Sequence, residues 1–414
     1  MITSVRHYKQ NKLLGSKVQK VMFLGAAPMQ MPPIEYASEK GYEIITVDYK
    51  PDNPGHRLAD RWYDCSTTDL DGVLEIAREE AIDGIVAYAS DPAAPTAAYV
   101  GNAMGLPSNP YESVCTLAEK DKFRAFLHEN GFNVPEAQSF TNISAAAEFA
   151  KSIRGNVFTK PVDSSGSKGV TRVTNQEQFK DAFEYAAGFS RSGRVIVESE
   201  LVRDGYQVAG DGFVRDGRLA FRCWANEHFD YQCNGLVPIG ESFPSILPDR
   251  LLNYAHAETQ RLLELLDMRS GALNFDFIFT QDEELYFLEI GPRNGGNLIP
   301  QVIRYGTGVD LIAATVEAAL GNDYELPANA PFKGYWASYI IHALTDGSYG
   351  QLNVSERMQS RIVEQDLWKQ PGDPVKLFRG SNDTVGTMIL RFQSAEEMCA
   401  LMDDMNTDIF VECL

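Results

Sequence analysis

Two carboxylates and a guanidinium stand within a short stretch near residue 280. The segment GALNFDFIFTQDEELYFLEIGPRNGG, beginning at Gly271, has two alternating apolar runs on either side of a polar turn centred between Asp282 and Glu283. Folding the hairpin about that centre sets Asp276 opposite Glu289, with Cβ atoms roughly 4.5–5.5 Å apart. Like charges so placed repel. Between Phe275, Phe277, Leu288 and Ile290, one carboxyl must take up a proton or a cation must sit between the two. Hard oxygen donors at that spacing suit Mg²⁺, which keeps waters and is shared with nucleotide phosphates. Arg293 and Asn294 follow, and a guanidinium grips phosphate or carboxylate through two oxygens. The competing reading is a solvated hairpin face on which both acids point to water.

A second stretch, VFTKPVDSSGSKGV, ends a strand at Lys160 and passes into a loop of Ser164, Ser165, Gly166, Ser167 and Gly169. Backbone N–H groups and hydroxyls of such a loop can wrap phosphate oxygens, glycines allow close approach, and Lys160 supplies a fixed charge. It is not a Walker A sequence, and a tight hairpin with Lys168 as a solvated loop charge has the same composition.

The elements that must position these groups fall into two patterns. VQKVMFLGAAP, PIEYASEKG and YEIITVD read as strand, helix and strand, followed by DGVLEIAREEA as a helix and IDGIVAYAS as a buried strand. Residues up to about 112 therefore read as a doubly wound parallel sheet, whose strand ends make Gly25, Ala26, Ala27, Ser90 and Asp91 candidate substrate contacts. A nicotinamide dehydrogenase, with Asp48 on the ribose, is disfavoured because the turn reads GAAPMQ and lacks the glycines that admit pyrophosphate. NPYESVCTLAEKDKFRAFLHENG reads as one helix from Asn109 to Gly131, with Phe123, Phe126 and Leu127 on its buried face. The strands and helices beyond it alternate irregularly, as in an α+β unit.

The 414 residues are 44% hydrophobic, enough for two or three packed units. A formal net charge of −20 argues against nucleic acid or an anionic membrane as partner. The opening MITSVRHYKQNKLLGSKVQK lacks a signal-peptide core, and no apolar run is long enough to span a bilayer, so a soluble cytoplasmic protein is expected. Six scattered cysteines without a CxxC or Cys/His cluster read as reduced structural thiols.

Lys120, Lys160 with its glycine loop, the strand VIVESEL, and the carboxylate hairpin ending in LEIGPR follow one another in an order that resembles the ATP-grasp superfamily, and in particular its carboxylate–amine ligases. The resemblance implies a Rossmann-like pre-ATP-grasp domain over residues 1–112, a small lobe with the glycine-rich flap over 113–190, and a large lobe with the metal site and a C-terminal subdomain over 191–414. It implies that Lys120 and Lys160 hold nucleotide phosphates, that the 164–169 loop closes on them, and that Glu198, Ser199 and Leu201 meet adenine. It further implies that Gln207 stands at the ribose position, that Asp276 and Glu289 carry magnesium, and that Arg293 steadies the transferred phosphate. Three positions depart from the family pattern: Gln207 replaces a glutamate, Gly291 a common asparagine, and Asp276 is shorter than the usual glutamate.

The implied activity uses ATP and Mg²⁺ to activate a small-molecule carboxylate as an acyl phosphate and to couple it to an amine. A homodimer is compatible with it. His228, Tyr231 and Gln232 are expected near the substrate or in ordinary loop and core roles. A small-molecule kinase and a nucleotide-binding regulator with a weakened metal site are the alternatives.

Overall fold

A computed structural model describes residues 18–327 and 330–414; most of the basic opening stretch lies outside them. Strands β1 (Lys20–Leu24), β2 (Glu43–Val47), β3 (Arg61–Tyr63) and β4 (Gly84–Val86) form a parallel sheet in the order β3-β2-β1-β4. Val21, Met22, Phe23 and Leu24 are all buried, because helices cover both faces of a parallel sheet. One covering helix comes from far along the chain: Leu311–Ala319 packs Ile312 and Val316 against Val21, Phe23 and Val86.

The expected helix from Asn109 to Gly131 is two helices, Tyr111–Ala118 and Lys120–Glu129, broken at Glu119, whose backbone is extended. The break puts Lys120 at the first position of the second helix, where its free backbone N–H donates to Val162 O at 2.9 Å. Glu119 itself is tied to Arg194, a tertiary contact that overrides the helical pattern.

A four-stranded sheet follows in the order β5-β8-β6-β7, from β5 (Ala137–Phe140), β6 (Val157–Pro161), β7 (Thr171–Val173) and β8 (Val195–Ser199). Because β8 pairs inside it, this sheet runs past the expected lobe boundary at 190. The large sheet opens with β9 (Gln207–Arg215), β10 (Arg218–Phe229), β11 (Pro238–Phe243), β12 (Gly271–Phe279) and β13 (Leu285–Gly291). The chain ends in β14 (Tyr335–Ile341), β15 (Gly347–Val354), β16 (Ile362–Leu367), β17 (Pro374–Val375), β18 (Gly386–Phe392) and β19 (Ile409–Cys413). The eight strands of the large sheet are ordered β13-β12-β9-β10-β11-β14-β18-β16, and β15, β17 and β19 form a small sheet beside it. One face of the large sheet, with Phe275, Phe277, Phe287 and Trp224, packs against Leu262 and Leu263 of the helix Asp249–Leu265. Among the described residues no helix is long and apolar enough to cross a membrane.

Candidate functional site

The hairpin pairing arises differently from the simple alternation. Thr280 N–H donates to Glu284 O, Thr280 O accepts from Glu283 N–H, and Phe279 pairs with Leu285, so the turn centres on Asp282. A bulge between Asp276 and Phe277 then leaves Leu288 as an extra residue and brings Asp276 opposite Glu289. Both carboxylates line a cavity of about 1010 Å³ between the four-stranded sheet and the large sheet.

Lys120, Lys160, Ser164, Ser165, Gly166, Ser167, Glu198, Ser199, Leu201, Gln207, Asp276, Glu289 and Arg293 all line this cavity. Gly169 does not; it is packed against Pro161 and Phe189 at the base of the loop. Lys168, expected in solvent on the bland reading, also lines it, and burial lowers the pKa of its ammonium while Asp91 pulls the other way. The loop lies against the C-terminal part of the chain: a Cβ on Gly166 would stand 2.4 Å from Ser381 Oγ.

Two basic groups share Glu198. Lys160 Nζ donates to Oε2 at 2.6 Å and Arg124 Nε to Oε1 at 2.8 Å. Burial acts to raise this carboxyl, but Arg124 and Lys160 override it and hold it at about 2. Glu198 is therefore a fixed anion that aims Lys160 into the cavity, and its side chain is already spoken for. Lys120 bridges the two walls, donating to Ser164 O at 2.8 Å and lying 3.3 Å from Glu289.

Asp276 is half-buried and accepts from Gln207 Nε2 at 2.9 Å. Burial pushes its carboxyl up to about 7, opposed by the Gln207 hydrogen bond and reinforced by the charge of Glu289. The departure at Gln207 thus has a local partner: the amide donates where a glutamate would add a further negative charge. The departure at Gly291 has one too. Arg293 donates from Nε and Nη2 to the two oxygens of Asp91, and a Cβ on Gly291 would stand 2.6 Å from Asp91 Oδ1. No side chain fits at 291 beside that pair.

Of the strand-end candidates in the parallel sheet, Asp91 reaches the site through Arg293. Ala26 and Ala27 use their N–H groups locally, on Asp48 Oδ2 and Gln30 Oε1. Asp48 is consumed by Ala26, Lys50 and Asn53, which leaves it no ribose to hold. His228 does not face the cavity. It lies on the opposite side of β10 from Glu227, fully buried between Asp403 at 2.7 Å and Ser242 at 2.8 Å. Tyr231 lines the cavity and Gln232 does not.

Several groups at the site carried no sequence signal strong enough to single them out. Arg124 is one; Glu227 and Glu241, buried acids in apolar strands that line the cavity, are two more. Asp211 lies further along the same sheet face, accepting from Asn274 and the backbone of Gly295, and burial raises it to about 7. The only available cue was strand parity, an acid recurring among buried residues. Elsewhere the fold brings ligand atoms of Asp230, Cys233 and His342 within 4.8 Å, a grouping that linear spacing does not reveal. There His342 Nε2 lies 3.0 Å from Asp230 and Nδ1 2.8 Å from Ile340 O.

Residues 117–297 match the family model of the ATP-grasp domain. The carbamoyl phosphate synthase large chain of Thermoanaerobacter sp. (strain X514) is 24% identical over 325 residues, which are 74% of this chain but 29% of that protein's length. The formate-dependent phosphoribosylglycinamide formyltransferase of Janthinobacterium sp. (strain Marseille) is 25% identical over 348 residues, 81% of each chain. Among solved structures, the L-amino acid ligase from Bacillus licheniformis superimposes with a TM-score of 0.81 at 16% identity, covering 97% of this chain and 100% of that one.

Proposed function

Residues 117–297 match the ATP-grasp domain, and from that premise we propose that the chain is an ATP- and Mg²⁺-dependent ligase that activates a small-molecule carboxylate as an acyl phosphate and couples it to an amine. The single observation that carries this reading is one cavity lined by Lys120, Lys160, a Ser/Gly loop, two facing carboxylates and a buried arginine. On it, residues up to about 112 act as a Rossmann-like pre-ATP-grasp domain, and the two sheets flanking the cavity act as the lobes that clasp the nucleotide.

The donor set fits the metal. Asp276 and Glu289 offer only oxygens, face each other at close range, and carry a repulsion that a divalent cation removes. When bound, magnesium supplies charge neutralisation on the phosphates. The chain's own groups do the rest. Lys160, aimed by Glu198, and Lys120, anchored on Ser164 O, bring two fixed positive charges to the phosphates, while the 164–169 loop donates N–H groups and excludes water. Ser199 and Leu201, at and after the end of β8, border the cavity where adenine is held, and Gln207 reaches the ribose hydroxyls or stays on Asp276. Arg293 stands where the strand ends, with its fork on Asp91 and its edge open to the cavity. A substrate carboxylate placed there attacks the γ-phosphorus of ATP and displaces ADP, with the developing charge spread over Arg293 and the lysines, and the amine then attacks the acyl carbon and displaces phosphate.

The test is an ADP-release screen of the purified protein against pooled carboxylic and amino acids, with mass spectrometry of the positive pool. ADP appearing only with acid and amine together, beside an amide product, supports the ligase. ADP with a stable phosphorylated product makes it a kinase; nucleotide binding without turnover makes it a regulator.

A further inference from the structure

Glu227 on β10 and Glu241 on β11 are directly paired across the sheet, which puts two carboxyl groups on one face at roughly 4.5–5.5 Å between Cβ atoms. Both line the cavity. They are 3% and 8% exposed, and Oε2 of each is buried without a hydrogen-bond partner. Among the described residues no lysine, arginine or histidine forms an ion pair with either. Gln207 on β9 is paired directly with Glu227, and the charge of a third acid, Asp276, acts on it as well. Lys120 pairs with Glu289 at the far end of the same row of carboxylates; here, among the described residues, Arg203 and Arg293 act on the acids through their charge and form no ion pair with them. A buried acid pair without a donor is costly to maintain unless something outside the chain completes it.

We propose that Glu227 and Glu241 bind the ammonium group of the amine substrate, and that this substrate carries its amine on a compact apolar body. The inference rests on the ligase reading above and names its second substrate. Two features select an organic cation over a further metal ion. The wall beside the pair is mostly apolar: Phe229 follows Glu227 by two residues on the same face of β10, Pro238 is its partner on β11, Leu236 and Tyr231 continue the wall, and Arg203 is already engaged there, over the Phe229 ring at 5.1 Å and donating to Tyr231 OH at 2.9 Å. A hydrated Mg²⁺ needs oxygen donors or waters all round, whereas an ammonium uses three donors on one side and leaves its carbon skeleton to the apolar wall. The pair also shares the sheet face with Asp276 and Glu289, so an amine held there is presented to the carboxylate activated over the metal carboxylates.

The probes are butylammonium chloride and its neutral analogue 1-butanol, titrated by NMR into wild type, Glu227→Gln and Glu241→Gln, each with and without a non-hydrolysable ATP analogue and magnesium. Wild type is expected to prefer the ammonium by at least about tenfold, and each variant to lose most of that preference, because a buried charge partner is missing. No preference in wild type, or an undiminished one in both variants, overturns the assignment. Loss of one bound magnesium in Glu227→Gln with the ammonium preference intact also overturns it and makes the pair a metal site. Should a variant fold poorly, saturation transfer from the rings of Phe229 and Tyr231 in wild type to bound butylammonium decides the question, and its absence counts against the subsite. Nucleotide binding without ammonium preference sinks the subsite and spares the ATP reading; ammonium preference without nucleotide binding does the reverse.

Discussion

Arg293 and Asp91 are joined by two parallel hydrogen bonds, Nε to Oδ1 at 2.7 Å and Nη2 to Oδ2 at 2.6 Å, across 202 residues of chain. The pair links the loop after β4 to the end of β13. It therefore couples the N-terminal sheet to the carboxylate hairpin and leaves room at position 291 only for glycine.

Asp91→Asn leaves the Arg293 guanidinium buried beside a neutral amide, and the side chains are only 13% and 12% exposed. Denaturant unfolding should show a loss of about 3–5 kcal/mol, the range for breaking one partner out of a buried pair. Arg293→Lys keeps the charge and loses the fork, so turnover should fall by about 10²-fold while ATP affinity by calorimetry stays near wild type. Unchanged turnover would return Arg293 to a purely structural role.

The two carboxylates proposed to hold magnesium should respond differently to neutralisation. Glu289 is paired with Lys120, so Glu289→Gln removes an attraction along with a repulsion. Among the described residues Asp276 forms no ion pair, and burial, against the charge of Arg293, pushes its carboxyl up to about 7. Asp276→Asn should therefore keep or raise the melting temperature of the metal-free protein while abolishing magnesium-dependent ADP release. A variant that turns over normally removes Asp276 from the metal site.

Asp211 gives a pH signature. Its pKa is raised in the folded protein from 3.8 to about 7, chiefly by burial, so folding favours the protonated form. That contribution is fully present below the unfolded value and is lost as pH rises towards the folded one. Relative to Asp211→Asn, wild type should lose on the order of 4 kcal/mol between about pH 4 and pH 7, then run parallel to the variant above that window. Parallel curves throughout would show that Asp211 is ionised in the folded state.

The 163–169 loop has little apolar surface, and Gly166 touches Ser381. Nucleotide with magnesium should slow hydrogen exchange in that loop and in residues 380–383 together. Equal protection with and without nucleotide would count against a phosphate flap.

What the sequence made legible was local. Alternation in the hairpin brought Asp276 opposite Glu289, although the structure reaches that pairing through a displaced turn and a bulge at Leu288 that cancel. The parallel N-terminal sheet follows from its buried runs. The break at Glu119 was hidden because it depends on Arg194, far away in the chain. Asp91 and Arg293 could each be flagged, but not their union, since no spacing encodes a contact across 202 residues. Of the two roles open to His228 the structure takes the core one, by a single step of parity: it stands next to Glu227 in sequence and on the other side of the sheet.

The most direct test of carboxylate activation follows the oxygen. The carboxylic acid identified in the screen is labelled with heavy oxygen at both carboxyl positions, incubated with ATP, magnesium, its amine and the protein, and the released phosphate is weighed by mass spectrometry. Attack of the carboxylate on the γ-phosphorus, followed by amine displacement, transfers one labelled oxygen to each phosphate. Label in the phosphate at the same rate as amide formation is the expected result; amide product beside unlabelled phosphate would contradict an acyl phosphate and the reading built on it.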